Sequence, residues 1–115
     1  MAEVFVEDDK LVVRLSLLER AESAHSDVRV PRDEITKVEV LEHPVDAVGG
    51  WKLVGARLRG SFAIGTFVVE GRRVFAVVHR DTGRGLRITL SRGSFYELVI
   101  GCDDPEAVVA SLAAK

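Results

Sequence analysis

The chain has 115 residues, 47% hydrophobic and 30% charged, with a formal net charge of −2 and one cysteine. These figures describe one soluble globular domain over residues 1–115, large enough for a single core. They exclude an internal disulfide and a cysteine-based zinc site, and they give no general electrostatic reason to bind nucleic acid.

The first predicted element is a hairpin. Val4 and Val6, then Leu11, Val13 and Leu15, alternate with other residues on either side of the polar Asp8-Asp9-Lys10. Ser16-Leu17-Leu18-Glu19 has the spacing of a capping box, in which serine and glutamate satisfy each other's backbone N–H groups, so a short helix is expected over about residues 17–25. A brief strand follows at residues 27–31, ended by Pro31, and a better one at residues 35–42. Between residues 43 and 65 the pattern breaks, with Pro44 and five glycines interrupting every run. Residues 51–58 read equally as a strand or as a long bulged excursion.

Alternation resumes at Thr66. Strands at residues 67–70, 73–80, 86–90 and 95–102, joined by three short turns, read as an antiparallel meander. Asp104-Pro105-Glu106 then opens a helix: Asp104 can accept from free N–H groups, Pro105 has no N–H to orphan, and Glu106 suits the positive dipole end. Pro105, Val108, Val109 and Leu112 form its apolar stripe, which should dock on the sheet. The longest clean apolar run, residues 74–78, is far short of the ~20 residues that span a bilayer. The acidic start Met1-Ala2-Glu3 does not resemble a secretory signal, so the cytoplasm is the expected location.

Charge is segregated along the chain. Residues 1–51 carry twelve acidic and six basic side chains, residues 52–92 nine basic and two acidic, and residues 93–115 four acidic and one basic. Successive turns of a meander lie at opposite sheet ends, so Arg72, Arg73 and Arg92 should share one rim, and Arg80 and Arg84 the other. Arginine grips phosphate or carboxylate with two parallel bonds, so the first rim could hold an anionic lipid head group or an acidic peptide. The same arginines could equally be solvated charges that balance the acidic N-terminal half.

Residues 27–40, the strand start Gly65-Thr66, the terminal meander and the Asp-Pro-Glu helix together resemble the bacterial pleckstrin-homology-like domains. The resemblance implies a mainly β fold: a partly open, strongly bent antiparallel barrel of about seven strands, with the C-terminal helix plugging one end. The helix near residues 17–25 and the irregular residues 43–65 depart from the simplest form of that pattern. Small domains of this kind look like binding or assembly modules.

Candidate chemistry is sparse. His25, His43 and His79 are far apart and have no metal-binding spacing, so no metal or other cofactor is assigned. Ser16 and Glu19 are explained by capping, and Asp8-Asp9 and Asp103-Asp104 by a turn and a helix start, so no catalytic residue is assigned. Trp51, Phe62 and Phe67 could line a ligand cleft or meet a partner, or simply fill core. Cys102, at a strand end, is expected to be inert. The expectation is a non-enzymatic module that contacts a protein or a second copy of itself through an exposed strand edge or the arginine rim. An anionic lipid surface is the alternative, and a small-ligand or enzymatic cleft near Trp51 the third reading.

Overall fold

The computed structural model describes residues 3–23 and 27–113. A first sheet is formed by β1 (Glu3–Glu7), β2 (Lys10–Arg14) and β3 (Val28–Pro31), in that order and all antiparallel. Asp8 and Asp9 turn the opening hairpin with φ of 51° and 61°, a left-handed pair that short polar side chains tolerate better than most. Helix α1 (Leu17–Ser23) starts with the expected capping box: Ser16 N–H donates to Glu19 Oε1 at 2.9 Å, and Glu19 N–H to Ser16 Oγ at 3.2 Å. The rest of the expected helix, including His25, lies outside the described residues.

The second sheet has six strands: β4 (Ile35–Leu41), β5 (Trp51–Leu58), β6 (Phe62–Val69), β7 (Arg72–His79), β8 (Gly85–Leu90) and β9 (Glu97–Gly101), in the order β4-β8-β9-β7-β6-β5. One of its faces packs Ile64, Phe75, Val77, Leu86, Ile88, Leu98 and Ile100 against Leu11, Val13, Val28 and Val30 of the first sheet and Val108 of α2 (Pro105–Ala113). The other face packs Ala63, Phe67, Val74, Ala76, Val78 and Val99 under Val48 and the 3-10 turn Pro44–Ala47. Covered on both sides, β7 buries every residue from Val74 to Val78, which accounts for the longest apolar run in the chain.

Three expectations are corrected. The terminal strands are not an antiparallel meander, because β9 lies between β7 and β8 and runs parallel to β7, with Val74 opposite Glu97 and Val77 opposite Ile100. Alternation shows which residues face the core and is silent about which strand lies beside which. Here β8 is drawn to the far side of β9 to pair with β4, placing Arg87 opposite Glu39. The described residues form nine strands in two sheets that do not close into a barrel, rather than about seven in one. Finally, β6 begins at Phe62 rather than at residue 67. Residues 51–58, for which a strand and a bulged excursion were both open, form the strand β5 with a bulge at Leu53.

Gly55 and Gly65 make that pairing possible. They face each other across β5 and β6 with φ of 132° and 136°, and a Cβ on either would lie 2.1 Å from the other strand's carbonyl oxygen. Only glycine fits both that angle and that approach.

Helix α2 docks as its stripe predicts. Pro105 and Val108 are buried, Val109 and Leu112 half-buried, and Ala107, Ala110 and Ser111 exposed. Asp104 Oδ1 accepts from Ala107 N–H at 3.2 Å at one end, and Arg32 Nη1 donates to the Leu112 carbonyl at 3.0 Å at the other. The helix rests on β1 and β4 and so bridges the two sheets. No helix among the described residues is long and apolar enough to cross a membrane.

Candidate functional site

The edge strand β5 is where burial fails. The register places four cross-strand rows on the face that elsewhere meets the first sheet: Trp51·Val68·Arg73, Val54·Thr66·Phe75, Ala56·Ile64·Val77 and Leu58·Phe62·His79. The β6 and β7 members of the inner rows are core, but no β5 side chain joins either core cluster. Trp51 is 80% exposed, Leu58 60%, Leu53 53% and Val54 44%. Helix α1 packs on β5 and β6 and adds Leu17 and Leu18, both largely exposed. The polar residues of β5 lie on the opposite face. Lys52 is paired with Phe67, and Arg57 reaches over the Phe67 ring at 4.9 Å to donate to the Gly49 and Gly50 carbonyls at 3.2 and 2.9 Å.

The three aromatics singled out from the sequence therefore do not form one cleft. Trp51 stands in solvent, Phe62 is half-buried at the other end of the same face, and Phe67 is fully buried on the opposite face.

The arginine rim does assemble, although the meander that suggested it does not. Inserting β9 between β7 and β8 changes neighbours but not direction, so β7 and β9 still begin where β8 ends. Arg72, Arg73 and Arg92 line a shallow depression of about 260 Å³ with Ser91, Ser94 and Tyr96. Their charges are not equally available. Arg92 is paired with Glu34 at 3.4 Å and Asp33 at 3.7 Å, and Arg72 lies over the Tyr96 ring at 4.3 Å. Arg73 has no carboxylate within 4 Å among the described residues.

At the opposite end Arg84 is clamped between Glu42 and Glu106, which holds the Glu106 carboxyl below its usual range. Arg87 lies between Glu97 and Glu39. The pairing of β8 with β4 thus neutralises part of the charge segregation seen along the chain. It leaves Lys52, Arg57, Arg59, Arg72, Arg73 and Arg80 as the basic residues of the central segment without an ion pair among the described residues.

One grouping was not visible in the sequence. His43 and His79, 36 positions apart, line a single cleft of about 450 Å³ with Asp46, Arg80 and the backbone of Gly60 and Gly83. Behind it, His79 Nε2 is 3.3 Å from Oε2 of Glu19, which is only 2% exposed. Among the described residues no three His, Cys, Asp or Glu side chains stand close enough to share a metal ion. Cys102 is buried, and burial together with the charges of Asp103 and Asp104 pushes its thiol up to about 11, away from thiolate chemistry.

Comparison with family models, with curated proteins and with solved structures returns no match.

Proposed function

We propose that the chain is a non-enzymatic assembly module that packs against a second copy of itself through the exposed face of β5 and the adjoining start of α1. The observation that carries this reading is the apolar row on β5, with the strand's basic residues turned to the other face. At their exposures, Trp51, Leu53, Val54, Leu58, Leu17 and Leu18 present on the order of 700 Å² per copy, near the ~800 Å² each partner gives to a standard interface and above the ~300–600 Å² patch of a typical monomer. The contact is face to face rather than edge to edge, because the bulge at Leu53 and the charge of Lys52 blunt β5 as a template for strand addition. A two-fold pairing needs only this one patch.

The accompanying fold reading is pleckstrin-homology-like, supported by two mainly antiparallel sheets and a C-terminal helix docked across both, with the unclosed sheets and the parallel β7–β9 pair as departures. A cytoplasmic setting belongs to the same reading and suits the single, unpaired Cys102.

Trp51 is the only tryptophan, so its emission reports the contact directly. Between about 1 and 200 µM, sedimentation velocity should show the mass doubling while the emission moves from that of a solvated indole to that of a buried one. Trp51→Lys and Leu58→Lys should stay monomeric with unchanged circular dichroism. A chain that remains monomeric over that range, with its indole solvated throughout, would remove the proposal.

A second reading is favoured by one feature: Arg73 shares a cross-strand row with Trp51, and Arg72 is next to it. A tryptophan beside unpaired arginines suits an anionic membrane surface. Co-sedimentation with phosphatidylserine vesicles that weakens with salt and is lost on Arg72→Glu with Arg73→Glu would establish it. Equal recovery with neutral vesicles would reject it.

A further inference from the structure

We infer that His79 is a positioning residue for the contact between copies: through Glu19 it fixes the roll of α1 so that Leu17 and Leu18 stand outward beside the exposed face of β5. This deepens the self-association reading and rests on it. Helix α1 is turned the wrong way for its composition. A surface helix ordinarily buries its leucines and shows its charges. In α1, Leu17 is 82% and Leu18 69% exposed, Arg20 and Ala21 are exposed, and Glu19, at 2%, is the one buried side chain among those described for the helix.

Apolar burial does not hold a helix in that orientation, so polar bonds must. Leu15, buried and tied through its N–H to Asp27 at 2.9 Å, fixes where the helix begins. Glu19 sets its roll. Oε1 accepts from Ser16 N–H at 2.9 Å, and Oε2 lies 3.3 Å from His79 Nε2. A carboxylate only accepts, so Nε2 carries the proton that this bond uses. The register puts His79 in the row Leu58·Phe62·His79, on the face where α1 packs over β5 and β6. Phe62, whose ring centroid is 6.5 Å from that of His79, flanks the imidazole. Glu19 is therefore fastened on one side to the start of its own helix and on the other to β7, a strand paired along both edges.

This tie decides what a second copy meets. Leu18 and Leu17 lie about 100° and about 200° around the helix from Glu19, so while Glu19 is directed into the sheet neither leucine can be. Released from His79, the helix is free to roll and its leucines to turn toward Phe62 and β5 of their own molecule, which buries internally the apolar surface otherwise left for the partner copy. Losing the tie thus removes the part of the contact that α1 supplies and leaves Trp51, Leu53 and Leu58 of β5 in place. The other polar tie on α1, Arg20 to Asp27 at 3.2 Å, lies at the surface and holds the roll only weakly.

The test separates the tie from the contact. In the monomer, below the association range, amide exchange at Ser16, Glu19 and Arg20 should quicken about tenfold in His79→Ala while β6 and β7 are unchanged, because these three amides make the bonds of the helix start. His79→Gln, whose side-chain amide can donate to Glu19 from nearly the same position, should return them to the native rate. In sedimentation velocity His79→Ala should weaken association about tenfold and His79→Gln should restore it. Double-mutant cycles distinguish positioning from a general structural role: Leu18→Ala should lose most of its effect on association in the His79→Ala background, whereas Leu53→Ala should keep its full effect. Unchanged exchange in His79→Ala, or equal coupling to Leu18 and Leu53, overturns the inference. A native chain that stays monomeric up to about 200 µM removes the contact and the inference with it, and the exchange result then shows whether the tie itself stands.

Discussion

Replacing Gly65 with alanine should unfold a measurable fraction of this protein's stability, and the structure gives the size. At φ 136° an L-residue carries strain of about 1–3 kcal/mol. The new Cβ would also lie 2.1 Å from the Val54 carbonyl oxygen and 2.7 Å from the Gly55 Cα, both backbone atoms that no rotamer change can move. To reach ordinary contact, β5 and β6 must part by roughly 1 Å, which weakens one or two ladder hydrogen bonds at about 1 kcal/mol each. The sum is about 3 kcal/mol, or a fall in melting temperature of roughly 12 °C. Urea denaturation followed by far-UV circular dichroism is the suitable assay, since Trp51 is solvated in the folded chain and reports unfolding poorly. Gly49→Ala is the control: its backbone is not left-handed and nothing lies within 4 Å of the added methyl, so it should be neutral or stabilising by about 0.4–1 kcal/mol. If the two variants differ by less than about 0.5 kcal/mol, the close approach of β5 and β6 is not what these glycines serve.

Three further outcomes are expected. The Asp27 carboxyl accepts from Leu15 N–H at 2.9 Å and from Arg20 at 3.2 Å, which hold it below its ordinary value of 3.8. Its contribution is therefore present above that value and lost as pH falls through the depressed one. Asp27→Asn should be less stable by about 1 kcal/mol at pH 7, with the difference shrinking as pH falls through the depressed value in thermal melts across pH. Cys102 should resist a thiol-alkylating reagent at pH 8 in the folded protein and react in urea; equal rates would contradict its burial. Leu112→Asp puts a charge on the docked stripe of α2 and should cost about 2 kcal/mol, with amide exchange accelerating first in residues 105–113.

What could be read in advance follows the physics of each signal. Alternation identifies a strand and its buried side, so β8, β9 and the stripe of α2 were legible from Leu86-Arg87-Ile88 and Val108-Val109-Leu112. It carries no information on strand neighbours, which is why the parallel β7–β9 pair was not. The arginine rim survived that error because each strand kept its direction. Glycine in a strand reads as interruption, yet Gly55 and Gly65 are what lets β5 and β6 pair. Trp51 and Phe67 look alike in sequence, and their separation into solvent and core depends on β5 being the last strand of the sheet. Three turns remote in sequence bring His43, His79 and Arg80 together, and no local spacing encodes such a meeting.

The place of β9 bears on how the molecule comes into being. Without residues 97–101 the large sheet is two separate pieces, β4 with β8 and β7 with β6 and β5, sharing no backbone hydrogen bonds. The large sheet therefore cannot close until residues 97–101 are seated, whichever half forms first. Of the strands described, the one latest along the polypeptide is the keystone rather than the trim.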